Sequence, residues 1–123
     1  MAIVNKAIND QGGGDYRHTM VTVPAGQSYA ITNIIVCNTY DPGAVDPQNE
    51  TVEFDLHLVP SGGSYSDSIT SVVRRLSLPA GETFTFDTER VVLDAGDSVV
   101  VNGGVSAGSN ANLACTVSYM RIE

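Results

Sequence analysis

The residues best suited to chemistry in this sequence are two histidines and the carboxylates near one of them. His57 follows Glu53 and Asp55 at intervals of two residues, and His18 lies far earlier in the chain. Two histidines with a carboxylate could bind a transition metal, and paired carboxylates could act on a glycosidic bond. The chain has no His-x-His pair, and its Gly-x-Ser-x-Gly stretch at 104–108 lies in a predicted loop of small residues rather than at the strand-to-helix turn of a nucleophile elbow. We therefore expect no catalytic residue, no metal site and no cofactor, with both histidines solvated separately.

Acidic residues in two loops are the other candidates for binding an ion. Asp94 and Asp97 flank Gly96, and Asp41 and Asp46 share a long loop. Carboxylate oxygens are calcium ligands, but the spacing of an EF-hand is absent. Ordinary acidic turns are the favoured interpretation, and a weak calcium site is the alternative.

Cys37 and Cys115 are the only cysteines, and each lies within a strand-like run. Two cysteines are too few for a disulfide framework, and they lack the spacing of metal ligands. We expect two buried, reduced thiols that act as small hydrophobic side chains. The alternative is a single disulfide, which would require an oxidising compartment.

These residues must be positioned by strands, because short apolar segments separated by turn residues recur along the chain. In residues 51–59 the apolar side chains alternate with Glu53, Asp55 and His57. Such alternation predicts a strand with one face in the core and these three residues facing solvent. Further strands are predicted at 16–23, 29–38, 69–78, 83–86, 90–93, 99–102 and 113–122, with a short one at 2–8. The last strand has the predicted core face Leu113, Cys115, Val117 and Tyr119.

A short turn motif appears three times, as Pro-Ala-Gly at 24–26 and 79–81 and as Asp-Ala-Gly at 94–96. Glycine supplies the positive φ that a tight turn needs, so each copy predicts a turn between strands. We predict an all-β fold: a two-sheet antiparallel sandwich, specifically a jelly roll of about eight strands. The chain has no tryptophan, so the framework of an immunoglobulin domain is missing.

Length and composition fit one domain. The chain has 123 residues, of which 42% are hydrophobic and 16% charged, which is typical of a globular protein. Consecutive glycines at 12–14 confer little local order, so we predict a flexible N-terminal arm over residues 1–14 and one β-sandwich over 15–123.

The charge balance excludes some partners. Six Lys and Arg residues against 14 Asp and Glu residues give a net charge of −8, which disfavours binding to a nucleic acid backbone. No run approaches the roughly 18 apolar residues of a membrane helix, and the first residues lack the pattern of a secretory signal. We expect no nucleic acid partner and no membrane partner.

Four segments in order, ITNIIVCN at 31–38, FDLHLVP at 54–60, LSLPAGETF at 76–84 and VLDAGDSV at 92–99, carry a resemblance. They resemble small β-sandwich virion structural proteins of tailed bacteriophages, which are head decoration (cement) or tail-associated proteins. The resemblance covers about residues 21–101. It implies a non-enzymatic subunit that binds the major capsid protein or other virion proteins, often as a trimer. It also implies assembly in the cytoplasm of the host bacterium and a place in the virion.

The function favoured by this resemblance is capsid decoration, in which the protein binds the outer shell and stabilises it. A tail, neck or fibre component is the alternative. A carbohydrate-binding or receptor-binding module is less favoured, since only Tyr40 and Tyr65 offer loop-borne aromatic rings. The candidate partner-binding residues are apolar positions of the arm and the one pair of clustered cations: Ala2, Ile3, Val4, Ile8, Arg74 and Arg75. For the two arginines, solvation or an intramolecular ion pair is the favoured interpretation, and partner binding is the alternative.

Overall fold

The computed structural model of the chain describes residues 2–10, 17–39, 52–66, 69–79, 81–86, 91–103 and 111–122. Within these residues the chain is all-β. The strands are β1 (Ala2–Asp10), β2 (Arg17–Thr22), β3 (Tyr29–Asn38), β4 (Val52–Val59), β5 (Ser71–Leu78), β6 (Thr83–Phe86), β7 (Val91–Leu93), β8 (Ser98–Asn102) and β9 (Ala111–Arg121). No helix that could span a membrane occurs in this part of the chain.

The strands form two antiparallel sheets that pack on each other. Sheet A has the order β1-β9-β3-β6, and β7 pairs with β3 as well. Sheet B has the order β2-β8-β4-β5. The predicted all-β class and two-sheet antiparallel sandwich are therefore confirmed.

The predicted strands agree closely with the observed ones. Those at 29–38 and 83–86 match β3 and β6 residue for residue, and the others differ by a few residues at their ends. Residues 2–10 form β1, which pairs with β9 and so belongs to sheet A. The mobility predicted for residues 1–14 in the free protein stays a prediction, and residues 11–16 lie outside the described part.

The hydrophobic core lies between the sheets. Sheet A contributes Ile34 and Val36 from β3 and the inner face of β9, and sheet B contributes Phe54 and Leu56 from β4 with inner residues of β8. The predicted core face of β9 is confirmed, since Leu113, Cys115 and Val117 are fully buried and Tyr119 stacks on Tyr29 with ring centroids 4.4 Å apart. Each fully buried aliphatic side chain contributes about 1.5–3 kcal/mol.

The three predicted turns are confirmed. Gly26, Gly81 and Gly96 have φ values of 77°, 80° and 89°. Each turn is closed by a hydrogen bond from the backbone N–H that follows the glycine to the carbonyl three residues earlier, at 3.0–3.2 Å. Residues 60–63 form a fourth turn of the same kind, with Gly62 at φ 77°.

Two of these turns also bind the end of another strand in the same way. The Gly96 N–H donates to the Val23 carbonyl at 2.9 Å, and the Asp97 carbonyl accepts from the Val23 N–H at 3.0 Å. Gly81 and its successor make the same pair of bonds with Asn38, both at 2.9 Å. The repeated motif therefore fixes strand ends as well as reversing the chain.

Candidate functional site

The outer face of β4 is buried, so the predicted solvent exposure of this face is wrong. Asp55 and His57 are fully buried, and Glu53 is half-buried. The cause is the β4–β5 connection, whose described residues 60–66 and 69–70 bring Tyr65 and Thr70 onto the outer face of sheet B against His57. Its residue Thr70 is hydrogen-bonded through its carbonyl to the Leu58 N–H at 3.0 Å. Residues 67 and 68 of this connection are outside the described part.

Asp55 is the charged centre of this region. Its Oδ2 lies 2.6 Å from Arg74 Nη1, and its Oδ1 accepts the backbone N–H of Arg75 at 2.6 Å. Arg75 has a φ of 49° and sits at a β-bulge where two residues of β5 oppose Asp55. Arg74 thus neutralises the charge of the Asp55 carboxylate, and the carboxylate accepts the backbone N–H that the bulge leaves unpaired. A buried anion needs both kinds of partner. For Arg74 this is the intramolecular ion pair that the sequence favoured over partner binding.

His57 is held by the connection. Its Nδ1 lies 2.8 Å from Thr70 Oγ1, and that hydroxyl donates to the Ser66 carbonyl at 2.8 Å while accepting the Ser66 N–H at 3.1 Å. Because the single hydroxyl proton is used at Ser66, the imidazole is the donor to Thr70. His57 Nε2 faces Asp55 Oδ2 at 3.8 Å.

Tyr65 closes the cluster from outside. Its ring packs on His57 with centroids 4.1 Å apart, and its hydroxyl accepts a hydrogen bond from Asn102 Nδ2 at 3.1 Å. We call these six residues the polar cluster: Asp55, His57, Tyr65, Thr70, Arg74 and Asn102. Tyr65 is therefore a packing residue rather than an open platform for sugar, and Tyr40 lies outside the described residues.

The polar cluster superficially has the parts of a nucleophilic site, with a hydroxyl, an imidazole and a carboxylate in sequence. A nucleophile must be able to reach a substrate and give its proton to the base. Thr70 is only 5% exposed, His57 is 0% exposed, and the hydroxyl proton of Thr70 lies on a backbone carbonyl. In this arrangement the cluster holds residues 60–70 on sheet B.

The two histidines do not share a site. His18 of β2 is opposite Val101 of β8, which is in turn opposite Leu56 of β4. His18 therefore lies on the core side of sheet B, whereas His57, next to Leu56, lies on the outer side. In the described residues no group of three or more His, Cys, Asp or Glu side chains is arranged to hold a metal ion.

The acidic turn at 94–97 uses its carboxylates internally. Asp97 Oδ1 accepts the Ser61 N–H at 2.7 Å and its Oδ2 accepts the Asp94 N–H at 2.9 Å. Asp94 Oδ1 accepts from Ser28 Oγ at 3.3 Å. These bonds tie the turn to its neighbours, and the other calcium candidates, Asp41 and Asp46, lie outside the described residues.

Both cysteines are free, but they face opposite sides of sheet A. Cys115 is opposite Val36 in the core, where burial raises the pKa of its thiol to about 12. Cys37 is opposite Ala114 on the outer side and is half-buried. The expectation of two buried thiols therefore holds for Cys115 only.

A mainly apolar cavity of about 360 Å³ lies where β4 leads into the connection. This volume is within the range of small-ligand pockets. Ile69, which is 82% exposed, stands at its border. The lining residues are Leu58, Val59, Pro60, Ile69, Thr70, Leu93 and Asp97.

The sheet edges differ in how accessible their backbone is to another strand. β2 has a bulge between Thr19 and Val21, and β5 has irregular pairing at two places and carries Arg74 and Arg75. β6 and β7 have only four and three residues. Bulges, charges and short length are the features by which proteins protect edges from pairing. β1 differs, since its nine residues pair with β9 in an unbroken register.

The predicted N-terminal contact residues all lie in β1. Ile3 is 61% exposed, and Val4 is partly buried and packs against the core. Their role in partner binding stays a prediction. Ala2 and Ile8 are opposite Tyr119 and Leu113 in the β-ladder, and their side chains are outside what the structure describes.

The outer face of sheet A is a surface that the sequence analysis missed. Alternation with the buried residues places twelve described side chains on it, and none is charged. The alternation of small neutral residues along β9 was a visible signal for it. The members are Ile3, Ala30, Asn33, Ile35, Cys37, Thr83, Thr85, Val92, Ala114, Thr116, Ser118 and Met120.

Comparison with known proteins does not assign the chain to a family. No family model matches it, and searches of curated proteins and of solved structures find no match. The following proposals therefore depend on the geometry and on the resemblance described above.

Proposed function

We propose that the chain is a non-enzymatic structural protein of a tailed-phage virion, a capsid decoration protein that binds the outer shell and stabilises it. The resemblance of residues 21–101 supports this assignment, as does the binding edge that β1 offers. The partners are the major capsid protein or other virion proteins. A tail, neck or fibre role is the alternative outcome of the test below.

The regular edge of β1, with which no strand of the described residues pairs on the side away from β9, is the observation that carries the proposal. Nine residues at about 3.3 Å each give an edge of roughly 30 Å. Every second residue directs its N–H and C=O away from β9, so a partner strand can add several backbone hydrogen bonds. Each contributes about 0.5–1.5 kcal/mol. Proteins normally protect such an edge unless it is used.

The charges support the same mode of binding. The net charge is −8, and Arg74, one of the two clustered cations, is engaged by Asp55. Exposed ion pairs contribute about 0–1 kcal/mol and are screened within about 10 Å at 0.1 M salt. Backbone pairing should therefore dominate, and binding should survive several times that salt concentration.

We include the jelly-roll topology in the proposal, and the strand order supports it. When β6 and β7 are counted as one interrupted strand, the first strand pairs with the last and the second with the next to last. The third then pairs with the sixth, and the fourth with the fifth. A long antiparallel hairpin rolled into two sheets produces this nesting.

The test is to quantify the chain in purified virions by mass spectrometry against the major capsid protein. A copy number comparable with that of the capsid protein supports decoration, and a few copies per particle support the tail or neck alternative. Absence from the particle overturns the proposal.

Hydrogen exchange on the same particles tests the binding edge. Peptides from β1 should exchange more slowly on particles than in free protein, while peptides from the bulged edge strand β5 serve as the internal control. Equal exchange of β1 in both states would reject this edge as the site.

A further inference from the structure

We propose that the outer face of sheet A is a self-association surface, on which a second copy of this chain docks through the same face. The proposal goes beyond the function above, because it uses the face of the sheet and leaves the β1 edge available. The described side chains of this face are Ile3, Ile35, Val92 and Met120 with small neutral residues between them.

The distribution of charge favours a second copy of the chain as the partner that docks on this face. At −8, two copies repel each other in most orientations, because carboxylates are brought together. The described charges lie elsewhere, for example Glu53 and Arg75 on sheet B and Asp94 and Asp97 in a turn. Arg121, at the end of β9, is opposite Tyr29 and so belongs to the other side of sheet A. Among the described side chains of the outer face of sheet A, a basic partner would find no carboxylate. An uncharged partner surface leaves no charge unpaired at this contact, and a second copy of the chain carries such a surface.

The shape and size of the face fit such a contact. Its rows run across the sheet, with Ala30 between Val92 and Met120 and with Ile35 between Thr85 and Thr116. Small side chains keep the surface flat, as sheets that stack about 10 Å apart require. The 37 residues of the five strands of sheet A, at about 3.3 Å each with strands about 4.8 Å apart, give a face of roughly 600 Å². Stable interfaces bury about 600–1,000 Å² from each partner, so the whole face must be used.

A contact of one face with the same face has two-fold symmetry and closes as a dimer. It therefore differs from the trimer that the resemblance implies. The two arrangements predict different masses in solution.

The first experiment measures the mass of the full chain by sedimentation equilibrium over a wide concentration range. We expect a monomer–dimer equilibrium, which Thr116→Lys at the centre of the face weakens by about tenfold or more, because the two-fold axis brings like charges together. Val72→Lys is the matched control, since Val72 is 43% exposed on β5 of the other sheet. Circular dichroism verifies that both variants are folded.

The outcomes of this experiment are decisive. A dimer lost with Thr116→Lys and kept with Val72→Lys supports the proposal. A wild-type monomer throughout, a trimer, or a dimer that responds equally to both variants overturns it. Particle binding by monomeric Thr116→Lys, followed separately, shows whether the decoration function stands without the dimer.

A second experiment uses a probe already present on the face. Cys37 lies on it, whereas Cys115 is fully buried, so a maleimide should label Cys37 selectively. We expect labelling of Cys37 to slow as protein concentration rises through the dimerisation range. A labelling rate that is independent of concentration in that range would show that the dimer uses another surface.

Discussion

The two outer faces of the sandwich are built from similar strands and end in opposite states. On sheet B, polar and charged side chains are covered by residues 60–70 and satisfied within the polar cluster. On the outer face of sheet A, the described side chains are neutral and no described segment covers them. Polar composition alone therefore does not predict exposure, because a folded-back connection can bury charge while a neutral face stays open.

The buried polar side chains on the outer face of sheet B require specific ion-pair and hydrogen-bond partners, whereas the neutral side chains on the outer face of sheet A do not. A buried carboxylate is unfavourable unless counter-charge and hydrogen bonds replace its water. Asp55 has Arg74 for the first and the Arg75 N–H for the second. Substitutions on sheet B should therefore be costly, whereas equivalent substitutions on sheet A should have small effects on folding.

The largest effect is expected for Asp55→Ala. The substitution removes the ion pair with Arg74 and leaves the bulged Arg75 N–H without its acceptor, so it should reduce the free energy of unfolding by about 3 kcal/mol. Arg74 is 43% exposed and can regain water, which keeps the loss at the lower end for buried pairs. The matched variant on sheet A, Thr116→Ala, should change it by less than about 0.5 kcal/mol. Denaturant unfolding of both variants measures the two changes in the free energy of unfolding. Equal losses in the two variants would refute the difference expected between the sheets.

Gly96→Ala tests how the start of the connection is anchored. Gly96 has a φ of 89°, and a Cβ there would overlap Ser61 Oγ and lie 2.8 Å from Ser61 Cβ, at the start of the β4–β5 connection. Strain and overlap together should cost about 2–3 kcal/mol. Gly26→Ala is the control, because Gly26 has a φ of 77° with nothing within 4 Å, and it should cost only about 1 kcal/mol. If thermal unfolding shows equal losses, contact with Ser61 does not constrain this turn.

Tyr65→Ala tests the outer layer of the polar cluster. Loss of the ring from His57 and of the bond to Asn102 should cost about 2 kcal/mol. Tyr65→Phe keeps the ring and should cost about 1 kcal/mol. Urea unfolding of the pair separates stacking from hydrogen bonding. Wild-type stability of the alanine variant would mean that Tyr65 does not hold the connection in place.

Most of the architecture could be predicted because it follows from local rules. Alternation identified β4, and glycine requirements identified the turns at 26, 81 and 96. The core face of β9 was also predictable, because its apolar residues recur at every second position. Periodicity of this kind reports which residues share a face of a strand.

The polar cluster could not be predicted, because it depends on contacts between distant segments. Period-two alternation shows that Asp55 and His57 share a face, but it does not show that Tyr65 and Thr70 return to cover that face. The contacting arginines, Arg74 and Arg75, lie farther along the chain, and the local pattern does not show that they meet Asp55. Their register across a β-bulge, with Arg75 at positive φ, is set by the tertiary fold.

The smallest expected effect concerns metal ions, and it tests whether hydrogen bonds alone stabilise the polar cluster and the turn at 94–97. His57 is bonded to Thr70, and both oxygens of Asp97 accept backbone N–H groups, so these ligand types already have protein partners. A ligand that binds only the folded state raises the free energy of unfolding by RT ln(1 + L/Kd), where L is the free ligand concentration. Addition of EDTA, or of calcium or zinc after EDTA, should therefore shift the Tm by no more than about 1 °C. A larger fall with EDTA that calcium restores would show that an ion is bound, and variants of Asp94 and Asp97 would then test whether the acidic turn binds it.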